Sequence, residues 1–197
     1  TLHTVTETPS QAMRFATEQI IATSTKVVAL TARSKALVPS LYPSATAKIV
    51  QISHGIHPLL YQHSAQIKPR FNLAEHQVLL TFGLLSRNKG IEYVLRALPQ
   101  IIQEVPNALY LIVGRTHPDV IRQEGEAYRL ELKQLINDLS LNNYVRFIDD
   151  FLPTSDILRY LQTSDLYIAT SLDPQQAVSG TLSYALGAGR AVVATSF

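Results

Sequence analysis

The sequence predicts an α/β protein built on a doubly wound, Rossmann-like parallel sheet, preceded by a truncated second unit of the same kind. Three observations predict it: short strands alternate with amphipathic helices, the strands are apolar on both faces, and two of them end in glycine. Strands that are apolar on both faces belong in parallel sheets that helices cover on each side. Because crossovers between parallel strands are right-handed, a doubly wound sheet is the simplest arrangement.

Strands and helices alternate most clearly after Gln77. Apolar runs of strand length lie at residues 78–82, 108–113, 144–148, 166–170 and 191–195. Helical periodicity between them predicts helices at residues 91–105, 125–139, 156–161 and 180–188. Pro99 predicts a kink or a break in the first of these helices, and Thr154 or Ser155 is the expected cap of the third. We expect the second to bury Leu130, Leu132, Leu135 and Ile136.

The first 60 residues repeat the pattern on a smaller scale. Helices are predicted at residues 9–23, with Ser10 as the cap, and at 32–41, and strands at 26–30 and 49–52. Residues 57–73 lack periodicity, so the chain divides into a truncated unit at 1–60, a linker at 61–76 and a fuller unit at 77–197. Strand-like runs at both ends, residues 2–5 and 191–195, predict a fragment of a longer protein, truncated in both units.

Composition excludes several classes of protein and of site. The chain has 197 residues, of which 46% are hydrophobic and 16% charged, as in ordinary globular proteins. The absence of cysteine excludes disulfides and thiolate metal sites. A net charge of +2 with interspersed signs gives no reason to expect nucleic-acid binding. No apolar run approaches the roughly 18 residues of a membrane span, and no signal peptide is recognised. We expect a cytoplasmic protein.

The turn after the first strand of the second unit has the design of an anion site. It reads Gly83-Leu84-Leu85-Ser86-Arg87-Asn88-Lys89-Gly90 and leads from a strand into a helix. The free amides of such a helix start point at a bound anion, and Lys89 adds a full charge. The spacing matches neither the Walker loop nor the dinucleotide fingerprint. A plain glycine turn with a solvated lysine is the alternative interpretation.

A second polar loop, residues 173–181, also follows a strand and precedes a helix. Ligands of open parallel sheets bind at that edge. Ser179, Gly180 and Thr181 offer amides and hydroxyls to a diphosphate, and Asp173 supplies a carboxylate. The alternative interpretation is a capping loop with Ser179 as the N-cap. The whole hypothesis requires this loop and the Lys89 turn to converge on one pyrophosphate.

Other candidate sites are weak. His54 and His57 lie three residues apart in a predicted turn, and His117 follows Gly114. Two loop histidines fall short of the three or four ligands of a metal site, so no metal is expected. His54 suits a position beside a cleft or in a turn cap. No Gly-x-Ser-x-Gly sequence occurs, so a hydrolase triad has no support.

In their order, these segments resemble the family-4 (group 1) glycosyltransferases, which have the two-domain fold called GT-B. The run from Phe82 to Glu92 resembles the phosphate-binding loop of that family. Residues 112–114, 145–147 and 185–194 follow in the family's order, and 52–56 resembles the end of its N-terminal domain. The resemblance covers nearly the whole chain. It implies a GT-B fragment that holds the end of the acceptor-side domain and most of the donor-binding domain.

The resemblance implies a role for residues of the first turn. Lys89 matches the family's lysine on the donor diphosphate, and Gly83 matches the glycine that lets the backbone approach it. Gly114 belongs to the donor site by the same comparison. The family usually has arginine where this chain has Leu84, and Arg87 is the candidate to compensate.

The second loop departs from the family at two positions. The family has two glutamates there, one toward the donor sugar and one toward the ribose, and this chain has Gln176 and Tyr184. An amide such as Gln176 still bonds a sugar hydroxyl, whereas Tyr184 cannot accept a bidentate ribose contact. Asp173 is the nearest carboxylate that could substitute. Ser179, Gly180 and Thr181 are assigned to the diphosphate, and Tyr184 to the ribose or base.

The function that the resemblance implies is transfer of a hexosyl group, with retention, from a nucleotide-diphosphate sugar to a saccharide or lipid-linked acceptor. Lys89 and Gln176 are the catalytic assignments, and neither a metal nor another cofactor is expected. A noncatalytic nucleotide-sugar-binding module and a GT-B epimerase or phosphorylase are the alternatives. Peripheral membrane contact through the part missing before this chain is left open. The chain alone is expected to transfer nothing.

Overall fold

The computed structural model describes residues 1–3, 5–149 and 152–196, and these form two compact units. The first unit comprises Thr1–Ile56 and Asp173–Ser183, and the second comprises His57–Leu172 and Tyr184–Ser196. Within the described ranges, no helix combines the length and the apolar character needed to cross a bilayer.

The first unit is a short parallel α/β segment. Its elements are α1 (Gln11–Thr23), β1 (Val27–Ala29), α2 (Ala32–Leu41) and β2 (Ile49–Gln51). The two strands pair in parallel. Ser10 caps α1 as predicted, because its hydroxyl accepts the Met13 N–H at 3.2 Å. Of the strand-like run at 2–5, Leu2 forms only an isolated bridge to Ala29, and Thr4 lies outside the described residues.

The second unit is a five-stranded, wholly parallel sheet in the order β5-β4-β3-β6-β7. The strands are β3 (Gln77–Phe82), β4 (Ala108–Val113), β5 (Val145–Ile148), β6 (Leu166–Ala169) and β7 (Ala191–Ala194). The helices are α3 (Ser64–Ile67), α4 (Ile91–Glu104), α5 (Pro118–Glu124), α6 (Ala127–Asp138) and α7 (Thr154–Thr163). Helix α8 (Gly180–Gly187) spans the boundary between the units. The predicted α/β class is therefore confirmed.

Burial explains why β3 and β4 are central. Every residue of β4 is buried, as is every residue of β3 after Gln77. Strands covered on both faces need continuous apolar sequence, which these two runs have. The core against them includes the predicted stripe of α4, with Val94, Leu95 and Leu98 buried and Ile101 and Ile102 partly buried.

Two local predictions were wrong, and a third was wrong in part. The predicted break at Pro99 does not occur, because α4 runs without interruption from Ile91 to Glu104; a kink at the proline stays a prediction. Leu130 is 62% exposed, since it lies two residues from both Tyr128 and Leu132, on the opposite side of α6. Helix α7 begins after Pro153, with no side-chain cap.

The predicted linker at 61–76 contains folded structure. Helix α3 is followed by a 3-10 helix at Lys68–Phe71. Lys68 is buried and bonds Asp165 at 2.5 Å and the His76 carbonyl at 2.8 Å. Ser64 donates to the same carboxylate at 2.6 Å, and the Val78 N–H donates at 2.7 Å. Polar bonds to a distant partner and the burial of Ile67 and Leu73 order this segment without apolar periodicity. The first compact unit reaches Ile56, four residues before its predicted end at residue 60.

A buried chain of hydroxyl groups crosses the middle of the sheet. Tyr110 on β4 donates to Thr81 on β3 at 2.8 Å, and Thr81 donates to the Ile168 carbonyl on β6 at 2.8 Å. Tyr110 and Thr81 are almost fully buried, so each hydroxyl needs its partner. Burial raises the pKa of Tyr110 far above its usual range, so the phenol stays a donor.

We predict that Asp165→Asn lowers the free energy of unfolding by about 3 kcal/mol, because it leaves buried Lys68 without its counter-ion. Asp156→Asn, on an exposed pair with Arg159, should cost less than about 1 kcal/mol. Chemical denaturation of both variants measures the difference. Equal losses would contradict the assigned role of the buried pair.

The same carboxylate predicts a pH dependence. Burial opposes ionisation of Asp165, but hydrogen bonds from Lys68, Ser64 and the Val78 N–H outweigh it and lower its pKa. A lowered pKa stabilises the fold above the unfolded value of about 3.9, and this stability is lost as pH falls through the folded value. Wild type should therefore lose more stability than Asp165→Asn on acidification, as measured by thermal unfolding across that range.

Candidate functional site

The sheet topology places the predicted anion turn at a point where the order of the strands reverses. From β3 the chain proceeds to β4 and β5 on one side, and then to β6 and β7 on the other side of β3. The turn after β3 and the segment after β6 thus leave the same edge of the sheet, beside each other. Open parallel sheets bind ligands at such a switch point.

Two glycines allow the turns after β3 and β4 to touch through their backbones. Gly83 and Gly114 have φ angles of 128° and 131°. A Cβ on Gly114 would lie 2.2 Å from the Gly83 carbonyl oxygen, which no side chain can tolerate. Beyond the glycines, the Leu85 N–H donates to the Arg115 carbonyl at 2.8 Å, and the His117 N–H donates to the Leu85 carbonyl at 2.9 Å. The two turns therefore stay paired through their backbones beyond the ends of β3 and β4. We call these paired residues, 83–85 and 114–117, the ledge.

Lys89 lies in a 3-10 turn, Arg87–Lys89, that leads into α4. Gly90 follows with φ 58° and forms the N-cap of α4 without any side-chain hydrogen bond to the first amides. The Thr170 hydroxyl donates to the Lys89 carbonyl at 2.8 Å, and the Leu172 N–H donates to the Asn88 carbonyl at 3.0 Å. The segment after β6 therefore holds the Lys89 turn in place at an uncapped helix start.

Lys89 carries a charge that the surrounding protein does not neutralise. Its side chain is partly buried, and burial lowers its pKa. Throughout the described ranges, none of the ion pairs includes Lys89. A desolvated ammonium without a counter-ion is unfavourable in the unliganded protein and favours binding of an anion.

Arg87, two residues earlier, is in the opposite situation. Its guanidinium bonds Glu131 at 2.7 Å and Glu124 at 2.9 Å and lies 5.2 Å from the centre of the Tyr128 ring. The hydrogen bond with Glu131, and then that with Glu124, raises the pKa of Arg87. The predicted contact between Arg87 and the donor therefore requires these carboxylates to be exchanged for a phosphate.

An apolar cavity of about 220 Å³ opens beside the two glycines. It is lined by residues at the ends of β3 and β4 and by two side chains at α7: Phe82, Gly83, Leu84, Val113, Gly114, Arg115, Leu152 and Ile157. Leu84 is 42% exposed and extends the apolar wall where the resembling family usually has arginine. The cavity is suited to a flat, weakly polar group.

Tyr184 lies next to this wall. Its ring stacks on Phe82 with centroids 6.2 Å apart, and His57 meets it edge-on at 4.9 Å. Phe82 itself lines the cavity. The structure thus brings Tyr184 to the carboxyl end of β3, where the sequence comparison placed a ribose or base contact.

The remaining predicted residues belong to the first unit. The Asp173 carboxylate accepts the Gln175 N–H at 2.9 Å, and the Gln176 amide donates to the Val178 carbonyl at 3.0 Å. Ser179 accepts the Leu182 N–H at 3.2 Å, as the capping interpretation requires, and lies 3.2 Å from the Thr181 hydroxyl.

The backbone of Gly180 lies close to a histidine of the same unit. A Cβ there would lie 2.9 Å from Nε2 of His54, which the sequence assigned to a cleft or a turn cap. Convergence of this loop with the Lys89 turn stays a prediction.

Sequence reasoning missed a helix beside the site. The sequence predicted no helix between residues 113 and 125, but α5 begins at Pro118. His117 is its N-cap and accepts the Asp119 N–H at 3.1 Å. The signal was present, because proline at the first helical position followed by an acidic residue is typical of a helix start.

The family comparison follows from this geometry. The sequence model of the family described as "Glycosyl transferases group 1" matches residues 76–197, more than half of the chain. The chain belongs to the group 1 glycosyltransferases. Among curated proteins, it is 25% identical over 156 residues to spore coat protein SA of Bacillus subtilis strain 168, covering 68% of this chain and 37% of that protein.

Solved structures share the fold and extend well beyond it. HepE of Anabaena, in complex with UDP-glucose, matches 98% of the chain with a TM-score of 0.78 and 23% identity, and the match covers 51% of HepE. Sucrose-phosphate synthase of Thermosynechococcus elongatus matches 94% with a TM-score of 0.74 and 20% identity, covering 44% of that chain. The chain thus spans about half the length of these structures, and its predicted GT-B fold class is confirmed.

We predict that Gly114→Ala destabilises the second unit by about 2 kcal/mol or more, because the new methyl group meets backbone at a positive φ. Gly55→Ala is the matched control, since a Cβ there meets nothing within 4 Å. Thermal unfolding of both variants measures the effect. Equal stability of the two would show that the ledge tolerates a side chain.

Proposed function

We propose that the chain supplies the donor site of an enzyme that transfers a hexosyl group from a nucleotide-diphosphate sugar. One observation carries the proposal: Lys89 is a partly buried cation that pairs with no carboxylate among the described residues, at an uncapped helix start on the switch-point edge of the sheet. A diphosphate brings the negative charge that this position lacks. The membership of the chain in the group 1 glycosyltransferases supports the same conclusion.

Lys89 would act on the leaving group. When the bond between the anomeric carbon and the phosphate oxygen breaks, its electron pair stays with the nucleoside diphosphate. Negative charge therefore grows on the oxygen nearest Lys89 and the first amides of α4. Fixed donors at such a position lower the barrier by about 3 kcal/mol each. The proposal assigns this neutralisation to the protein and invokes no metal.

The apolar cavity would hold the base. Its volume of about 220 Å³ and its walls of Leu84, Leu152 and Ile157 suit a planar ring. The backbones of Gly83 and Gly114 at its floor permit close approach. Related structures were determined with UDP and with UDP-glucose bound, which makes UDP the first probe to use.

The finer assignments complete the proposal. Gln176 would bond a hydroxyl of the sugar, Ser179 to Thr181 would hold the diphosphate, and Tyr184 would contact the ribose or base. Retention of configuration and a saccharide or lipid-linked acceptor are proposed on the family resemblance, and a cytoplasmic location on the cysteine-free composition. Since the acceptor side lies mainly in the part of GT-B that the chain lacks, the chain alone should bind donor and transfer nothing.

A noncatalytic nucleotide-sugar-binding module is the second candidate. It is favoured by the three departures from the family pattern, at Leu84, Gln176 and Tyr184. Both candidates bind the donor, so binding does not separate them. Release of labelled sugar from a nucleotide sugar by a longer protein that contains this chain would exclude the module.

We predict that Lys89→Met weakens UDP binding by about 10- to 100-fold, which is the effect of losing one charged hydrogen bond. The variant keeps the apolar stem and removes a desolvated charge, so the melting temperature should stay the same or rise. Titration calorimetry and thermal unfolding measure both effects. Lys35→Met, on an exposed lysine of α2, is the control, and unchanged affinity in Lys89→Met would overturn the proposal.

A second prediction concerns pH. Because burial lowers the pKa of Lys89 and a phosphate favours its charged form, binding should take up protons in alkaline solution. UDP affinity should then fall as pH rises through the lowered pKa of the free chain. Calorimetry from neutral to alkaline pH follows this fall, which Lys89→Met should lack. A wild-type affinity for UDP that does not change with pH would contradict this prediction.

A further inference from the structure

Arg129 on α6 is buried behind the apolar cavity without lining it. Its side chain is 8% exposed, and it is absent from the residues around the cavity. A buried guanidinium has five N–H donors that need acceptors. The acceptors include the Gly114 carbonyl and the Thr116 hydroxyl, both in the turn after β4 beside the cavity.

The three nitrogen atoms of the guanidinium bond four acceptors. One terminal nitrogen donates to the Gly114 carbonyl at 3.0 Å, and the other to the Asp149 carboxylate after β5. Nε is shared between the Thr116 hydroxyl and the Glu126 carboxylate, both at 3.2 Å. Thr116 in turn donates to Glu126, which closes the network.

The charges around Arg129 fit a structural role for its side chain. Two carboxylates, Glu126 and Asp149, bond the single buried cation. The guanidinium also lies 5.4 Å from the centre of the Phe147 ring, on β5. A buried guanidinium whose charge and hydrogen bonds are satisfied in this way is held in a fixed position.

The contacts of Arg129 extend through the backbone to Leu85, next to Leu84 of the cavity wall. Arg129 fixes the Gly114 carbonyl and the Thr116 hydroxyl. Thr116 pairs with Leu85 in the isolated parallel bridge between the turns after β4 and β3. The ledge therefore has its anchor on α6, at a residue outside the lining of the apolar cavity.

We propose that Arg129 is a positioning residue that sets the affinity of the site for the nucleoside part of its ligand by holding the turn after β4. The proposal rests on the proposed function, because it assumes that the cavity holds a base. Lys89 is assigned to the phosphates of the ligand. Loss of the Arg129 network should therefore weaken binding of UDP far more than binding of inorganic pyrophosphate.

The experiment compares UDP and pyrophosphate on Arg129→Lys, which keeps the charge but cannot bond four acceptors at once. UDP should bind about tenfold more weakly, because the supporting contacts of a site set its geometry. Pyrophosphate affinity should stay within about twofold.

Thr116→Val, which keeps the shape of the side chain, should shift UDP binding in the same direction. Arg122→Lys, on a 75% exposed arginine of α5, should change neither ligand. Equal changes for the two ligands, or none, would overturn the proposal.

A ligand-free measurement separates this proposal from the proposed function. Amide hydrogen exchange at Leu85 and His117 reports the two bonds that join the turns. Exchange should speed up at both amides in Arg129→Lys and stay unchanged at Leu80, inside β3. If wild type binds no UDP, the proposed function fails and the nucleoside role fails with it. If exchange is unaffected, Arg129 does not hold the turn, whatever UDP does.

Discussion

The contact between the bare backbones of Gly83 and Gly114 is the constraint on which the proposed nucleotide site depends. Parallel strands lie about 4.8 Å apart, and the turns that follow them normally diverge to make room for side chains. Here a methyl group at Gly114 would collide with the Gly83 carbonyl. The turns consequently stay together past the sheet edge. Their side chains open outward, which leaves the apolar cavity beside them.

Arg87 and Lys89, the two cations of the turn after β3, have different electrostatic surroundings. Arg87 is 50% exposed and already bonds two glutamates, while Lys89 is partly buried and bonds none within the described ranges. Water screens the first charge, so its pairs add little stability. The charge of Lys89 is partly removed from water, which lowers the stability of the fold. Functional sites commonly retain destabilising features of this kind.

Much of the fold was predictable from the sequence because periodicity reports burial. Strands β3 and β4 and the stripe of α4 follow directly from runs of apolar residues. The failures came where polar interactions decide the structure. The segment at 61–76 is held by Lys68 and Asp165, which lie 97 positions apart in the chain. No local pattern reports a partner at that distance.

Within the site, glycine and lysine positions were predictable and their surroundings were not. Gly83, Lys89 and Gly114 stand where strand ends place them. The cavity depends on Leu152 and Ile157, which reach it only through the packing of α7. Likewise, the glutamates that hold Arg87 lie on α5 and α6, and α5 had no predicted counterpart. Loop spacing alone therefore predicts the proposed anion position but not the proposed nucleoside position.

The hydroxyl chain from Tyr110 through Thr81 to Ile168 has a consequence for assembly of the sheet. It crosses three adjacent strands and has one donor direction throughout. Sliding β4 by one residue along β3 would turn Tyr110 to the other face and leave the Thr81 hydroxyl without its donor in a dry interior. Apolar strands alone discriminate weakly between neighbouring alignments. The hydroxyl groups of Tyr110 and Thr81 therefore disfavour a misaligned sheet at strands whose other buried side chains are apolar.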